Sequence, residues 1–540
     1  MVCISGKKIC INGLLFLLFF NFFYFFLPAS AFGQSENDLL FSLDFDEKNF
    51  TSIQGRSLVV YDEGIEGKGL DLAGSRAIPP LQNTELNWFS KSRDFSVSLW
   101  INTNQKTSGP AIIVSNADFS LEDAGIYGER RTNKGITLYG NNGAWGWNIG
   151  NGGLHYNYEP IETDQPIADN KWHHLAFTFH AKLKEVRLFY DGINKAVLHV
   201  GDLDERDFIS DLPLRIGGDE QVSPGYRSFP GVIDEFQVWG SVLSPEYIKA
   251  EYEEYFTAAV EPELKTDTFT VVDWNIWHGG THFTKEENGF DGIERITELI
   301  RKAGADIVLM QETYGAGSRI SSSLGYYYYE ASSTVGAVWG ANLSVMSRFP
   351  IEDAYMVEKR GNYGNNYAFN NGGVKVRFSE RQSVIAFSNW YNGSKPEDLD
   401  AVLKTWSGLI ANSDQIPIVT GGDFNSKSHL DDGEGRSGHS KLMAGAGFID
   451  SFRELHPDAA KYPGYSNGGA SSRIDYIYYK GKGISAVESG PIVPNFNGRE
   501  DRTPGYPSDH LGIVTKFRIQ DLEPLVRFDR RGVDLGALFE

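Results

Sequence analysis

Apolar and polar positions follow two different rhythms along this chain. From Leu39 to about Phe256, short runs alternate apolar and polar side chains and stop at turn residues, the pattern of antiparallel strands packed as a sandwich. Phe95-Ser96-Val97-Ser98-Leu99-Trp100 is one such strand. Residues 172–179 and 186–190 are two more, the second closed by the turn pair Asp191-Gly192. A short helix is predicted over 244–252. After that the rhythm changes: a strand at 269–274, a helix at about 291–303, an apolar strand at 306–310, a helix at 396–411 and a strand at 416–420. Strands alternating with helices place this second half in the α/β or α+β class. Residues 258–265, with Pro262 and mixed charge, read as the linker between them. The expected division is a β-sandwich unit at 38–256, a linker at 257–266, a second domain at 267–520 and a tail at 521–540.

The first residues form an address segment. Lys7 and Lys8 precede an apolar run at 14–27, followed by Pro28 and the small-residue site Ala29-Ser30-Ala31. That is the layout of a secretory signal covering 1–31, and the run is well short of the ~20 residues a spanning helix needs. The protein is therefore expected to be exported to the medium, the periplasm or the cell surface. Both cysteines, Cys3 and Cys10, lie inside this segment, so the mature chain is expected to have no disulfide, thiolate nucleophile or cysteine-held metal.

A length of 540 residues is too great for one core and agrees with two globular units. The formal net charge is −21, and no basic stripe breaks it. A protein that holds nucleic acid mainly by neutralising phosphates would carry one, so tight non-specific DNA binding is not expected. Phosphate chemistry remains open, provided that a bound cation supplies the local positive field.

In the second half, five polar clusters each follow an apolar or aromatic strand, where a sheet delivers side chains to a common rim. They are Trp274-Asn275-Ile276, Gln311-Glu312-Thr313, Gly422-Asp423-Phe424-Asn425, Arg473-Ile474-Asp475-Tyr476 and Ser508-Asp509-His510. No P-loop, dinucleotide fingerprint, Gly-x-Ser-x-Gly elbow or His-Glu-x-x-His motif is present. Each cluster alone has a bland reading, such as a turn former or a strand-end carboxylate meeting water.

In this order and spacing, the five resemble the signature of the endonuclease/exonuclease/phosphatase superfamily. The resemblance implies a four-layer α/β sandwich that hydrolyses phosphate esters with Mg²⁺ or Mn²⁺. Glu312, Asn275 and Asp509 would serve the metal, Asp423 would orient or deprotonate water, and Asn425 would donate to a phosphate oxygen. His510 would contact phosphate and move a proton, with Asp475 fixing its tautomer. Many members have a histidine where this chain has Tyr391, in Ser388-Asn389-Trp390-Tyr391; its hydroxyl is expected to donate to phosphate, or else to pack in the sheet. His278 shares the loop after Asn275 and is a further candidate for the cleft, against a plain surface histidine. The aromatic run at 326–329 reads as core side chains, with base stacking as the rival. Expected substrates are nucleic acid, phospholipid or sugar phosphate; the rival from another class is a non-catalytic adhesion protein.

The first half resembles laminin-G-like, concanavalin A-type jelly rolls through GKGLDLAG from Gly67, FSVSLWI from Phe95, KWHHLAFTF from Lys171, LFYDG from Leu188, LRIGG from Leu214 and GVIDEFQVW from Gly231. The resemblance implies a carbohydrate, lipid or protein ligand, in a family that also includes modules with no known ligand. His173 and His174, adjacent in a strand, should point to opposite faces and act structurally rather than share a metal. Asp202, Asp204, Glu205 and Asp207 form a solvated acidic loop or a Ca²⁺ site. The chain is expected to be monomeric.

Overall fold

The structure, a computed structural model, describes residues 38–521 except for internal segments, chiefly 47–58, 76–92, 332–342, 358–370 and 494–505, together with shorter loop pieces. The expected signal at 1–31, the acidic loop at 202–207 and nearly all of the tail lie outside the described residues.

The alternating segments of the first half form two sheets face to face. One runs from Val60–Glu63 through Lys68–Asp71, Val232–Trp239, Phe95–Asn102, Trp172–His180 and Glu185–Tyr190 to Ile193–His199. The other contains Ala111–Ser115, Lys134–Asn141 and Ala144–Asn151. Leu99, Leu175, Leu188, Ile113 and Trp147 fill the space between them. Pro245–Glu253 is the closing helix. Ser244 is its N-cap, accepting from the Tyr247 N–H.

The second half stacks two sheets between layers of helices, the four-layer α/β sandwich expected. Val271, Leu309, Val345, Val374, Ala386, Val419 and Ile477 bury the faces that the sheets turn to each other. The Gly292–Ala303 helix, capped by Asp291, covers the outer side of one sheet with Ile296 and Ile300. Leu399, Val402 and Met443 cover the other. The helix expected over 396–411 is two, Pro396–Thr405 and Ser407–Ala411. The break falls at Trp406, whose ring stacks on Phe387 at 3.6 Å with backbone φ −86° and ψ 9°.

The halves share one sheet. Ile193–His199 of the jelly roll pairs in parallel with Tyr327–Ala331 of the second domain, Val197 opposite Tyr329, which joins both into a 14-stranded sheet. His199 Nδ1 lies 2.8 Å from the Tyr329 hydroxyl, and Arg187 donates to the Glu352 carbonyl. The linker is fastened as well: the Leu264 N–H donates to the Phe378 carbonyl, and Arg377 pairs with Glu261 at 2.7 Å. Tyr328 and Tyr329 are buried at this seam. The aromatic run is thus packing, and base stacking finds no support.

His173 and His174 do point apart. His173 lies between Asp169 and Asp191, each at 3.0 Å, while His174 is buried beside Glu251 and Trp100. The two rings face different partners, as a structural role predicts.

Candidate active site

All five polar clusters reach one rim because their strands end there. Asn275 closes Thr268–Asn275, beside Gln311 at the end of Ile307–Gln311. Asp423 closes Ile418–Asp423 and sits directly opposite Asp475, which opens the antiparallel Asp475–Lys480. His510 precedes Ile513–Ile519, and its carbonyl accepts from the Trp274 indole at 3.0 Å. The Ser508 hydroxyl pins the Asn275 carbonyl at 2.7 Å, drawing that last cluster to the rim.

The polar contacts are specific. Both Asp475 oxygens lie 3.0 Å from His510 Nδ1, which leaves Nε2 facing Asp423 Oδ2 at 3.9 Å. Asn275 Nδ2 bridges two carboxylates, Glu312 at 3.0 Å and Asp423 at 3.2 Å. Asn425 donates its backbone N–H to Asp423 Oδ1 and its side-chain amide to Asp423 Oδ2 and the Tyr391 carbonyl. Asn425 therefore orients Asp423 in this arrangement, with its amide hydrogens already engaged. The phosphate contact expected of it would need that amide to turn.

Tyr391 departs further from expectation. Its ring is buried against Phe424 and His439, and its hydroxyl donates to Asn389 Oδ1 at 3.1 Å. Only its backbone borders the rim. The strand twist that carries Asp423 forward turns Tyr391 into the outer core with Leu399 and Val402, so sheet packing is the reading that its placement supports.

Electrostatics divide the site. Burial alone would lower the pKa of His510, but Asp475 and Asp423 overcome it and hold the imidazole well above its usual range. Burial pushes the Asp423 carboxyl up to about 7, against the pull of His510. The Asp423, Asp475 and His510 donor atoms lie within 4.8 Å of one another, close enough for a cation. A protonated imidazole offers no lone pair, however, and Asp475 is committed to it, so the group suits a proton better than a metal. The oxygen donors that fit a hard divalent cation are those on the Glu312 side, where Asn275 holds the carboxylate in place. Asp509 adds negative charge felt by both His510 and His282.

Three neighbours were not singled out from the sequence. Asp273 is fully buried beneath the site, its carboxyl pushed well above normal by burial and by Asp475, with Gln311 donating to it at 2.9 Å. Gly421 must lack a side chain, since a Cβ would come within 2.9 Å of Asp273 Oδ1. His282 pairs with His278 at 2.9 Å, and its spacing of four from His278 was a usable signal. Asp273 gave none, being one polar residue in an apolar strand.

Comparison with known proteins agrees with this architecture. Residues 274–510 match the model of the Endonuclease/Exonuclease/phosphatase family, and residues 80–249 that of the Concanavalin A-like lectin/glucanases superfamily. An uncharacterized protein of Caenorhabditis elegans is 24% identical over 303 residues, covering 46% of this chain and 90% of that one. Among solved structures, an endonuclease/exonuclease/phosphatase from Beutenbergia cavernae is 18% identical, with 47% of this chain and 72% of that chain covered and a TM-score of 0.34. The human Nocturnin catalytic domain, solved with a bound sulfate anion, is 16% identical, with 48% and 97% covered and a TM-score of 0.35. Members of the matched family are phosphoesterase hydrolases, generally metal-dependent. The second half of this chain is an endonuclease/exonuclease/phosphatase domain, and the half before it is a concanavalin A-like jelly roll.

Proposed function

We propose that this protein is an exported phosphodiesterase of nuclease type that works with Mg²⁺ or Mn²⁺, its jelly roll binding a carbohydrate, lipid or protein. The observation that carries this reading is the convergence of Asp475, His510, Asp423, Asn275 and Glu312 on one rim, with hydrogen bonds joining Asp475 to His510 and Asn275 to both Asp423 and Glu312 and His510 Nε2 facing Asp423 at 3.9 Å. Phosphodiester hydrolysis has three needs: neutralised charge, an activated water and a proton source.

Glu312 would hold the cation, positioned by Asn275, with Asp509 adding charge nearby. When bound, that cation supplies positive charge to the phosphate oxygens and the leaving oxygen. Asp423, fixed by Asn275 and Asn425, accepts a proton from the attacking water. His510, held protonated by Asp475, donates Nε2–H to a phosphate oxygen and stabilises the charge that builds there. Asp475 keeps Nδ1 occupied, so the proton available to substrate is the one on Nε2.

The decisive assay dialyses the purified protein against EDTA, then adds back Mg²⁺ or Mn²⁺ on DNA, RNA, bis-p-nitrophenyl phosphate, sphingomyelin and inositol phosphates. Release from a diester only with added ion is the expected outcome. Release from sphingomyelin or inositol phosphate alone would reassign the substrate. No release from any of them would leave the adhesion reading.

A further inference from the structure

The loop after Asn275 brings two imidazoles to the edge of the proposed cation position. His278 Nε2 lies 3.7 Å from Glu312 Oε2, and the His278 backbone N–H donates to the same oxygen at 3.2 Å. On its other side, His278 Nδ1 is 2.9 Å from His282 Nε2. The rings are clamped. Trp277 stacks on His282 at 3.7 Å, and Tyr314 meets His278 edge-on at 5.2 Å.

Two donors, each about 2.1 Å from one metal ion, stand between about 3.0 Å apart at a right angle and 4.2 Å when opposed. The 3.7 Å gap is too wide for a hydrogen bond and falls inside that interval. In the tautomer that donates Nδ1–H to His282, Nε2 carries the ring lone pair on the side of the Glu312 carboxylate, and a cation in the gap would be ligated by both. A ligating histidine commonly engages its other ring nitrogen in this manner. Spacing alone does not make a site, because His174–Glu251 and His199–Glu185 are also 3.7 Å apart. Those imidazoles are only 1% and 5% exposed, whereas His278 and Glu312 keep 30% and 16%, with Asn275 donating to Glu312.

We propose that His278 supplies a nitrogen ligand to the cation carried by Glu312, with His282 fixing its ring, so that the site prefers a borderline transition ion such as Mn²⁺ to Mg²⁺. Imidazole suits transition metals, whereas Mg²⁺ favours oxygen ligands and keeps its water. The inference rests on the reading of Glu312 as a metal ligand.

The test uses the full chain loaded with Mn²⁺, pulsed EPR for ¹⁴N coupling, and calorimetric titration with Mn²⁺ and Mg²⁺. The native protein should show ¹⁴N coupling that His278→Ala abolishes and His282→Ala retains. Mn²⁺ affinity should fall about 10–100-fold in His278→Ala and by less in His282→Ala, with Mg²⁺ affinity little changed. No ¹⁴N coupling in the native protein, or equal losses for both ions, overturns the proposal; the native spectrum decides even where a variant folds poorly. Glu312→Gln separates the two readings. If it abolishes binding while ¹⁴N coupling is absent from the native protein, only the role of His278 fails. If it leaves both ions bound, the metal reading of Glu312 fails and takes this inference with it.

Discussion

Both halves of the molecule bury carboxylates whose pKa values burial raises, and they surround them with different partners. In the jelly roll, Asp234 accepts N–H groups from Ile65 and Glu235 and is pushed by burial up to about 8, Glu251 likewise to about 8, and Glu235 to about 7. The imidazole nearest Glu251, His174, is itself driven down to about 3 by burial, so neither group gains a charged partner. In the second half, Asp423 and Asp475 flank a histidine whose pKa they hold well above its usual range. Buried acid alone therefore says little about function. A loop closed by backbone N–H groups onto one carboxylate is architecture; a carboxylate oriented by side-chain amides on a rim where strands end is placed for the chemistry proposed.

The largest test of that contrast is turnover. His510→Ala or Asp423→Asn should lower kcat by about 10²–10⁴-fold on a diester substrate, whereas Asp234→Asn should leave kcat essentially unchanged. Comparable losses in all three variants would erase the distinction. Next in size is the seam. Tyr329→Ala removes a fully buried ring that touches both halves, and should cost about 3–5 kcal/mol in denaturant titration. Tryptophan fluorescence and far-UV circular dichroism should shift together; if only one transition moves, the shared sheet does not couple the halves.

The smallest effect has opposite signs in the two halves. Asp423 must lose its proton to act as base, so activity should rise with pH up to about 7 and then level. Glu251 has a folded pKa above its unfolded one, so its contribution to stability is present at low pH and is lost as pH climbs through about 8. Stability should fall by about 1 kcal/mol between pH 7 and 9 on its account, and Glu251→Gln should flatten that slope in thermal melts. A slope unchanged in the variant would assign the effect elsewhere.

Much of this was legible in the sequence. Phe95–Asn102 and Trp172–His180 follow the alternation that predicted them, and the two helix starts were marked by Ser244 and Asp291. The clusters around Glu312, Asp423 and His510 could be read because each ends a strand, and strand ends share a rim. What stayed hidden depends on contacts far apart in the chain. Val197 and Tyr329 are paired by an edge-to-edge fit that leaves no local pattern in either strand. Of the two readings open for Tyr391, the core position of its ring favours packing, because a motif position gives a place along the chain and not the depth of the ring behind it. Asp273 looks like any polar residue in a strand until Asp475 and Asp423 are placed above it.

The seam at Val197 and Tyr329 sets more than stability. Two domains on a loose tether sweep out a volume, and a captured polymer or surface is then sampled at many offsets. Two domains built on one sheet act as a ruler. Under the proposed function, anything bound by the jelly roll would be presented to the rim of Asp423 and His510 at a set distance, so that the spacing of phosphates along a substrate, rather than the reach of a linker, would choose the bond that is cut.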